Sequence, residues 1–358
     1  MLSDAAYMER ALLLAGRARG RTTPNPLVGA VVVTPEGVVA GSGFHERAGE
    51  AHAEVHALRE AGESARGATL YCTLEPCSHV GRTPPCVDRI LESGVARVVA
   101  AVEDPNPIVA GRGLARLRQA GVRVDVGPGG DAARRLNRPF FSAMRRGRPY
   151  VILKAVTSLD GRVALAGGRP VRLSAPAADR RTHALRAEVD AIAVGSGTIL
   201  ADDPRLTARG AYRGRPLARV IFDRRLRTPA SARVFATMDA GPVIVVAGPD
   251  APVGAARALT SAGARVVTAD GRLASALRLL VPMGVQSILV EGGPTVHAAL
   301  WRERAADAVR LVVAPRALGA AGVPWVEHAV APWASWHLVS VQPCGGDVII
   351  EADVHWTD

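Results

Sequence analysis

His52 and Glu54 stand two residues apart and are followed by Pro76-Cys77 and then by Cys86. One histidine and two cysteines are the number and kind of ligands that hold a catalytic Zn²⁺ while leaving one coordination position open. A glutamate just after the histidine is placed to move protons for a water in that position. His52, Cys77 and Cys86 as ligands, with Glu54 as general acid/base, are the parts of a zinc hydrolytic deaminase, whose signature is H-x-E followed by P-C and a second cysteine. The spacing departs from the usual one. Nucleoside and nucleic-acid deaminases place two residues between the cysteines, whereas eight, residues 78–85, intervene here.

The longer loop lies within Thr73-Leu74-Glu75-Pro76-Cys77-Ser78-His79-Val80-Gly81-Arg82-Thr83-Pro84-Pro85-Cys86. This stretch resembles the bifunctional deaminase/reductase of riboflavin biosynthesis, as do Pro24-Asn25-Pro26-Leu27-Val28-Gly29 and the run from Phe44 through His45 to Glu54. A lone H-x-E is common; three ordered motifs sharing an unusual cysteine spacing are specific. The second half continues the resemblance through Lys154, Ser158-Leu159-Asp160-Gly161, Leu185-Arg186-Ala187, Gly195-Ser196-Gly197-Thr198, Asp202-Asp203-Pro204-Arg205-Leu206-Thr207 and Glu291-Gly292-Gly293-Pro294-Thr295. It thins over residues 210–265 and after Gly319.

The resemblance implies an α/β protein in which a cytidine-deaminase-like three-layer domain precedes a dihydrofolate-reductase-like α/β domain that uses NADPH. It implies that Asn25 and His45 line the pocket of the first substrate, a phosphorylated diaminopyrimidine; Arg82, the one cation of the proline-stiffened loop 81–85, is a candidate for the ribose phosphate. In the second half it assigns Thr198, Asp202, Gly293, Pro294 and Thr295 to the dinucleotide, and Ser174, Arg186, Leu206, Arg209 and Glu291 to the substrate. One departure stands out. After Gly167-Gly168 the family shows Ser-x-Trp-Ile-Thr, and this chain has Pro170-Val171-Arg172-Leu173-Ser174. Arg172, expected beside the cofactor, could bind its phosphate, stack on a ring, or mark a weakened reductase.

The elements that must position these residues read as alternating strands and helices. Helices are expected over residues 5–15, 53–61, 86–92, 113–120 and 131–146, and strands over 28–34, 38–40, 68–73, 95–102 and 122–126. The metal set then lies where loops enter helices, whose positive dipole ends favour thiolates. Gly147-Arg148-Pro149 divides the chain into a deaminase domain, 1–147, and a reductase domain, 148–358. The second domain opens with a strand expected over 150–155 and repeats short, largely apolar runs (191–194, 219–222, 243–247, 287–290, 311–314), the pattern of strands buried on both faces of a mostly parallel sheet. Two glycine turns follow such runs, at 195–198 and 292–295. Strand–Gly–helix turns are too common to identify a phosphate site alone.

A length of 358 residues favours two domains. The formal charge of +11 invites a nucleic-acid reading, but the cations are scattered and aromatics make up only 4%. A diffuse basic field also suits phosphorylated small molecules and a dinucleotide phosphate. An RNA or single-stranded DNA deaminase would bind with steep salt dependence, and a non-catalytic zinc scaffold leaves Glu54 without a purpose. Lys154 is the only lysine; every other cationic side chain is arginine. In so arginine-biased a chain, the survivor marks a place that needs a compact ammonium, and Lys154 is taken as catalytic. Four cysteines make no disulfide framework. Cys72 reads as a buried strand residue, and Cys344 stands alone. The expectation is a cytoplasmic homo-oligomeric enzyme with neither nucleic acid nor membrane as partner.

Overall fold

A computed structural model of the chain describes residues 2–78, 84–107, 109–326 and 334–356. Arg82 and His79 lie outside them. The chain forms two compact units, Met1–Gly147 and Arg148–Asp358. Among the described residues, no helix is long and apolar enough to cross a membrane.

In the first unit, β1 (Gly29–Val33), β2 (Val39–Phe44), β3 (Thr69–Cys72), β4 (Arg97–Ala100) and β5 (Arg123–Val126) form one sheet in the order β2-β1-β3-β4-β5. β1 runs antiparallel to β2 and β3, and β3, β4 and β5 are parallel. The helices are α1 (Asp4–Gly16), α2 (Ala53–Ala61), α3 (Cys86–Glu92), α4 (Arg112–Gln119), α5 (Gly130–Leu136) and α6 (Arg138–Arg146). Ser3 caps α1, its hydroxyl accepting from the Ala6 N–H. Cys72 is fully buried on β3.

Glycine brings α2 close to the sheet. A Cβ on Gly41 would lie 2.1 Å from the Ala57 carbonyl oxygen, and one on Gly43 would lie 2.7 Å from that of Ala53. The two glycines alternate along β2, so the helix backbone rests directly on the strand. That contact sets the height of the helix whose first turn carries the H-x-E pair.

The single helix expected over 131–146 is two. Asn137 breaks it with φ −103° and ψ 20°, and Pro139 opens the second helix. The Asn137 side chain accepts from the Leu27 N–H at 2.7 Å and donates to the Leu27 oxygen at 2.9 Å. Both polar faces of that amide go to tertiary bonds, and they clamp the segment carrying Asn25.

The second unit holds β6 (Tyr150–Ser158), β7 (Arg162–Ala164), β8 (Ala191–Gly195), β9 (Ala218–Phe222), β10 (Val243–Ala247), β11 (Arg265–Thr268), β12 (Ser287–Val290), β13 (Ala308–Ala314), β14 (Val323–Pro324), β15 (Ala334–Cys344) and β16 (Asp347–Trp356). Nine of these make one sheet in the order β11-β10-β9-β8-β12-β6-β13-β16-β15, and β7 pairs with β14. From β11 to β13 all neighbours are parallel; β16 and β15 add an antiparallel edge. The helices are α7 (Pro176–Glu188), α8 (Ser196–Asp202), α9 (Val253–Ser261), α10 (Leu273–Leu280) and α11 (Pro294–Arg302). β8, β9, β10 and β12 are buried along their whole length; β8 and β10 are unbroken apolar runs, whereas β9 carries the fully buried Arg219 and β12 begins at the buried Ser287.

Candidate active sites

In the first unit, His52 is the residue before α2, Cys86 opens α3, and Cys77 lies in the loop after β3. Their ligand atoms all fall within 4.8 Å of one another. His52 Nδ1 is 3.2 Å from Cys86 Sγ and 3.6 Å from Cys77 Sγ. Tetrahedral zinc with ordinary Zn–N and Zn–S bonds separates such atoms by about 3.6 Å, so the three can hold the ion with little movement. The Cys86 N–H donates to Cys77 Sγ at 3.3 Å.

The protonation pattern fits a metal-ligand set. Cys77 is lowered to about 4, first by a hydrogen bond from Cys86 and then by His52. His52 is raised to about 9 by its bond to Cys77, and Cys86 is pushed up by its bond to Cys77 and by burial. One thiolate is thus stabilised by two proton-bearing neighbours. Glu54 is 3% exposed, and burial pushes its carboxyl above the usual range against the pull of His52. Its Oε2 has no hydrogen-bond partner. A buried carboxylate oxygen left unmet is costly, which points to a ligand or water as its missing partner.

Asn25 and His45 stand beside this group. Asn25 Nδ2 meets His45 Nε2 at 3.0 Å, and His45 Nδ1 meets the Ala51 oxygen at 3.1 Å. Burial holds His45 below its ordinary pKa, so the neutral ring donates from Nδ1 and accepts from Asn25. The His45 and His52 rings meet edge to face at 5.3 Å.

Motif spacing does not reveal what Glu75 does. Its Oε1 accepts from the Gly113 and Leu114 N–H groups at 2.9 and 3.3 Å, and its Oε2 accepts from those of Asp104 and Gly111 at 3.1 and 2.8 Å. Two residues before Cys77, it ties the ligand loop to the start of α4. A Cβ on Gly113 would lie 2.0 Å from the Pro76 oxygen, so only glycine permits that approach.

In the second unit a cavity of about 940 Å³ opens at the C-terminal ends of the parallel strands, where ligands bind in open α/β sheets. Thr198, Asp202, Gly293, Pro294, Thr295, Lys154 and Glu291 are among its walls. The two glycine turns abut, a Cβ on Gly292 falling 3.0 Å from the Gly195 nitrogen. Pro170 and Val171 line the cavity. The Arg172 side chain is 76% exposed and pairs with Asp179 at 3.1 Å; Ser174 donates to the same carboxylate at 2.6 Å. Neither is part of the cavity wall.

Glu291 joins the remaining residues. Arg186 grips it with Nε–Oε1 at 2.6 Å and Nη2–Oε2 at 2.8 Å, while Lys154 Nζ lies 3.6 Å from Oε2. Burial alone would raise Glu291, yet Lys154 and Arg186 hold it at about 2. Arg186 Nη1 also donates to the Thr207 oxygen at 2.9 Å, between buried Leu206 and exposed Arg209. Leu206 has φ 52°, an unusual backbone for a leucine, fixed in the same loop. Sequence reasoning missed His297, a fully buried cavity wall whose Nε2 bonds the Val290 oxygen at 3.1 Å. Burial lowers it to about 4, leaving a neutral ring. A lone histidine among apolar residues of α11 gives no signal of that position.

Residues 1–102 match the family described as the cytidine and deoxycytidylate deaminase zinc-binding region, and residues 149–350 match the RibD C-terminal domain. The riboflavin biosynthesis protein RibD of Aquifex aeolicus is 43% identical over 317 residues, covering 88% of each chain. That of Escherichia coli is 44% identical over 328 residues, covering 89% of each. The chain belongs to the RibD family. Among solved structures, Acinetobacter baumannii RibD superposes with a TM-score of 0.90 at 36% identity, covering 99% of each chain. The diaminohydroxyphosphoribosylaminopyrimidine deaminase/5-amino-6-(5-phosphoribosylamino)uracil reductase of Thermotoga maritima gives 0.85 at 33% identity and 98% coverage of each. The fold is therefore a cytidine-deaminase-like domain followed by a dihydrofolate-reductase-like one.

Proposed function

We propose that the two units carry out successive reactions on one phosphorylated pyrimidine, 2,5-diamino-6-(ribosylamino)pyrimidin-4(3H)-one 5′-phosphate. Family membership makes the chain a bifunctional deaminase/reductase of riboflavin biosynthesis; the residue roles below are our reading.

In the first reaction the 2-amino group leaves as ammonia and a water oxygen takes its place. His52, Cys77 and Cys86 are the residues that would hold zinc. A zinc ion bound there supplies Lewis acidity and makes a water easier to deprotonate. Glu54 takes the proton from the attacking water and returns it to the departing nitrogen. Its raised pKa suits it to both halves of that transfer. Asn25 and neutral His45 hold the pyrimidine edge, and Arg82 is assigned to the substrate phosphate. The observation that carries this reading is the orphaned, buried Glu54 oxygen beside three ligand atoms grouped within 4.8 Å.

In the second reaction the ribosyl group becomes a ribityl chain. Thr198, Asp202 and the Gly293–Thr295 turn would hold NADPH, which would supply a hydride for C1′. Lys154 binds the sugar oxygens and gives a proton to the ring oxygen as the ribose opens. Glu291 holds Lys154 and Arg186 at fixed positions, and Arg186 and Arg209 face the phosphate. Arg172 and Ser174, both held on Asp179 outside the cavity wall, are given no contact with cofactor or substrate.

The test is Glu54→Gln. It should keep its zinc and lose ammonia release by about 10²–10⁴-fold. Turnover near the wild-type rate would remove Glu54 from its role.

A further inference from the structure

Two side chains of α7 hold the loop that carries Leu206 and Arg209. Arg186 Nη1 donates to the Thr207 oxygen at 2.9 Å, and His183 Nδ1 accepts from the Arg209 N–H at 3.1 Å. Three positions apart on the helix, the two residues share one face, and they take a carbonyl and an N–H two positions apart in the loop. The chain turns just before and just after the pinned stretch, with φ 52° at buried Leu206 and 68° at Gly210. The Arg209 guanidinium is exposed and donates to Thr207 Oγ1 at 3.3 Å. Where it points therefore follows from where its backbone is held.

That bond constrains the histidine in turn. A ring nitrogen accepts only while it carries no proton, so Nδ1 must be bare and Nε2 must hold the hydrogen. The surroundings favour this neutral form. Three charged groups face the half-buried ring: Arg186 from α7 itself, Arg209 from the loop, and Glu291 from the end of β12. Burial and the two arginines hold His183 below its ordinary pKa, against the pull of Glu291 and the Thr207 carbonyl.

We propose that His183 is a positioning residue of the second reaction: its unprotonated Nδ1 holds the Arg209 backbone so that the guanidinium meets the substrate phosphate, and protonation of the ring releases it. This role rests on the reading of Arg186 and Arg209 as the groups that face that phosphate. His183 acts through Arg209 and needs no contact with the substrate. Substrate affinity in the second unit thereby becomes sensitive to acid, through a group that takes no part in hydride transfer.

The test is the rate of NADPH oxidation at saturating NADPH, with the deaminated ribosylamino-uracil phosphate varied, between about pH 5 and 8. Full-length wild type, His183→Ala and His183→Gln are compared. Glutamine keeps an acceptor oxygen and does not titrate in this range. At the alkaline end His183→Ala should raise KM by about three- to tenfold, the loss of one hydrogen bond, with kcat little changed. His183→Gln should restore KM to near the wild-type value. On acidification the KM of wild type should climb relative to that of His183→Gln, reaching about threefold or more at the acid end. The second ionisation of the substrate phosphate, near about pH 6, is common to both chains and cancels in the ratio.

A ratio that stays flat with pH, or an alanine variant with unchanged KM, would overturn the proposal. A ratio that falls on acidification would overturn it as well, by showing that a cationic His183 binds the phosphate itself. So would equal losses of kcat in the alanine and glutamine variants, the mark of a merely structural residue. The wild-type and glutamine pair decides the matter even where the alanine variant does not fold. Failure of the underlying reading looks different: Arg209→Ala with a wild-type KM would remove Arg209 from the phosphate, and the proposal with it.

Discussion

Replacing Glu75 with glutamine should loosen the first unit's metal site without touching a ligand. The carboxyl group accepts four backbone N–H bonds, two at each oxygen. A glutamine offers one oxygen and one NH₂, so one pair of donors loses its acceptor whichever way the amide turns. The Gly113 and Leu114 donors are buried, while those of Asp104 and Gly111 are only partly so. The oxygen will therefore stay with the buried pair, and the NH₂ will face two N–H groups that have some access to water. An unmet buried donor costs about 1–3 kcal/mol; taking the low end for partial exposure, the total is roughly 2–3 kcal/mol. Cys77 lies two residues on, so part of the loss should appear as weaker metal retention. The assay is zinc retained against a graded chelator, read beside the urea midpoint of the first unit's unfolding. A Glu75→Gln chain that unfolds within about 0.5 kcal/mol of wild type and holds zinc equally well would refute the reasoning.

Zinc binding to the metal-free chain near pH 7 should release about two protons, because His52 and Cys86 both sit above neutrality there and must deprotonate to ligate. Affinity therefore falls as pH falls; calorimetry in buffers of different ionisation heat reads the proton count, and a count near zero would contradict the assignment. Glu291 should make stability acid-sensitive. Its folded pKa of about 2 lies below the ordinary 4.5, so its contribution is complete above about 4.5 and is lost as pH falls through about 2, on the order of 3 kcal/mol in all. Glu291→Gln should remove that acid-dependent part and also leave Lys154 and Arg186 uncompensated; unfolding curves of wild type and variant that stay parallel between pH 5 and 2 would contradict it.

The metal set was legible because ligand chemistry restricts residue type and spacing: His52, Glu54, Cys77 and Cys86 can be found without any coordinates. The boundaries of α2 and α3 were legible too, each beginning next to a ligand. Buried strands such as β8 and β10 announced themselves as unbroken apolar runs. The antiparallel edge was not legible, because β15 and β16 mix polar and apolar residues. Neither was the break at Asn137, since the partner that takes its side chain is Leu27, 110 positions away. Glu75 stood inside a quoted motif, but its partners lie 29–39 positions downstream. Glu291 was assigned to the substrate from its motif. That both its oxygens are engaged by Arg186 and that Lys154 faces it is a tertiary fact that no local pattern carries.

The measurement that tests the account most directly follows NADPH oxidation by the purified full-length chain given the deaminated compound, 5-amino-6-(ribosylamino)uracil 5′-phosphate. Wild type should oxidise NADPH and form the ribityl product, and Glu54→Gln should do so equally while failing to release ammonia from the diamino compound. No NADPH oxidation by a chain that holds zinc and still releases ammonia would contradict the claim that the second unit is a working reductase.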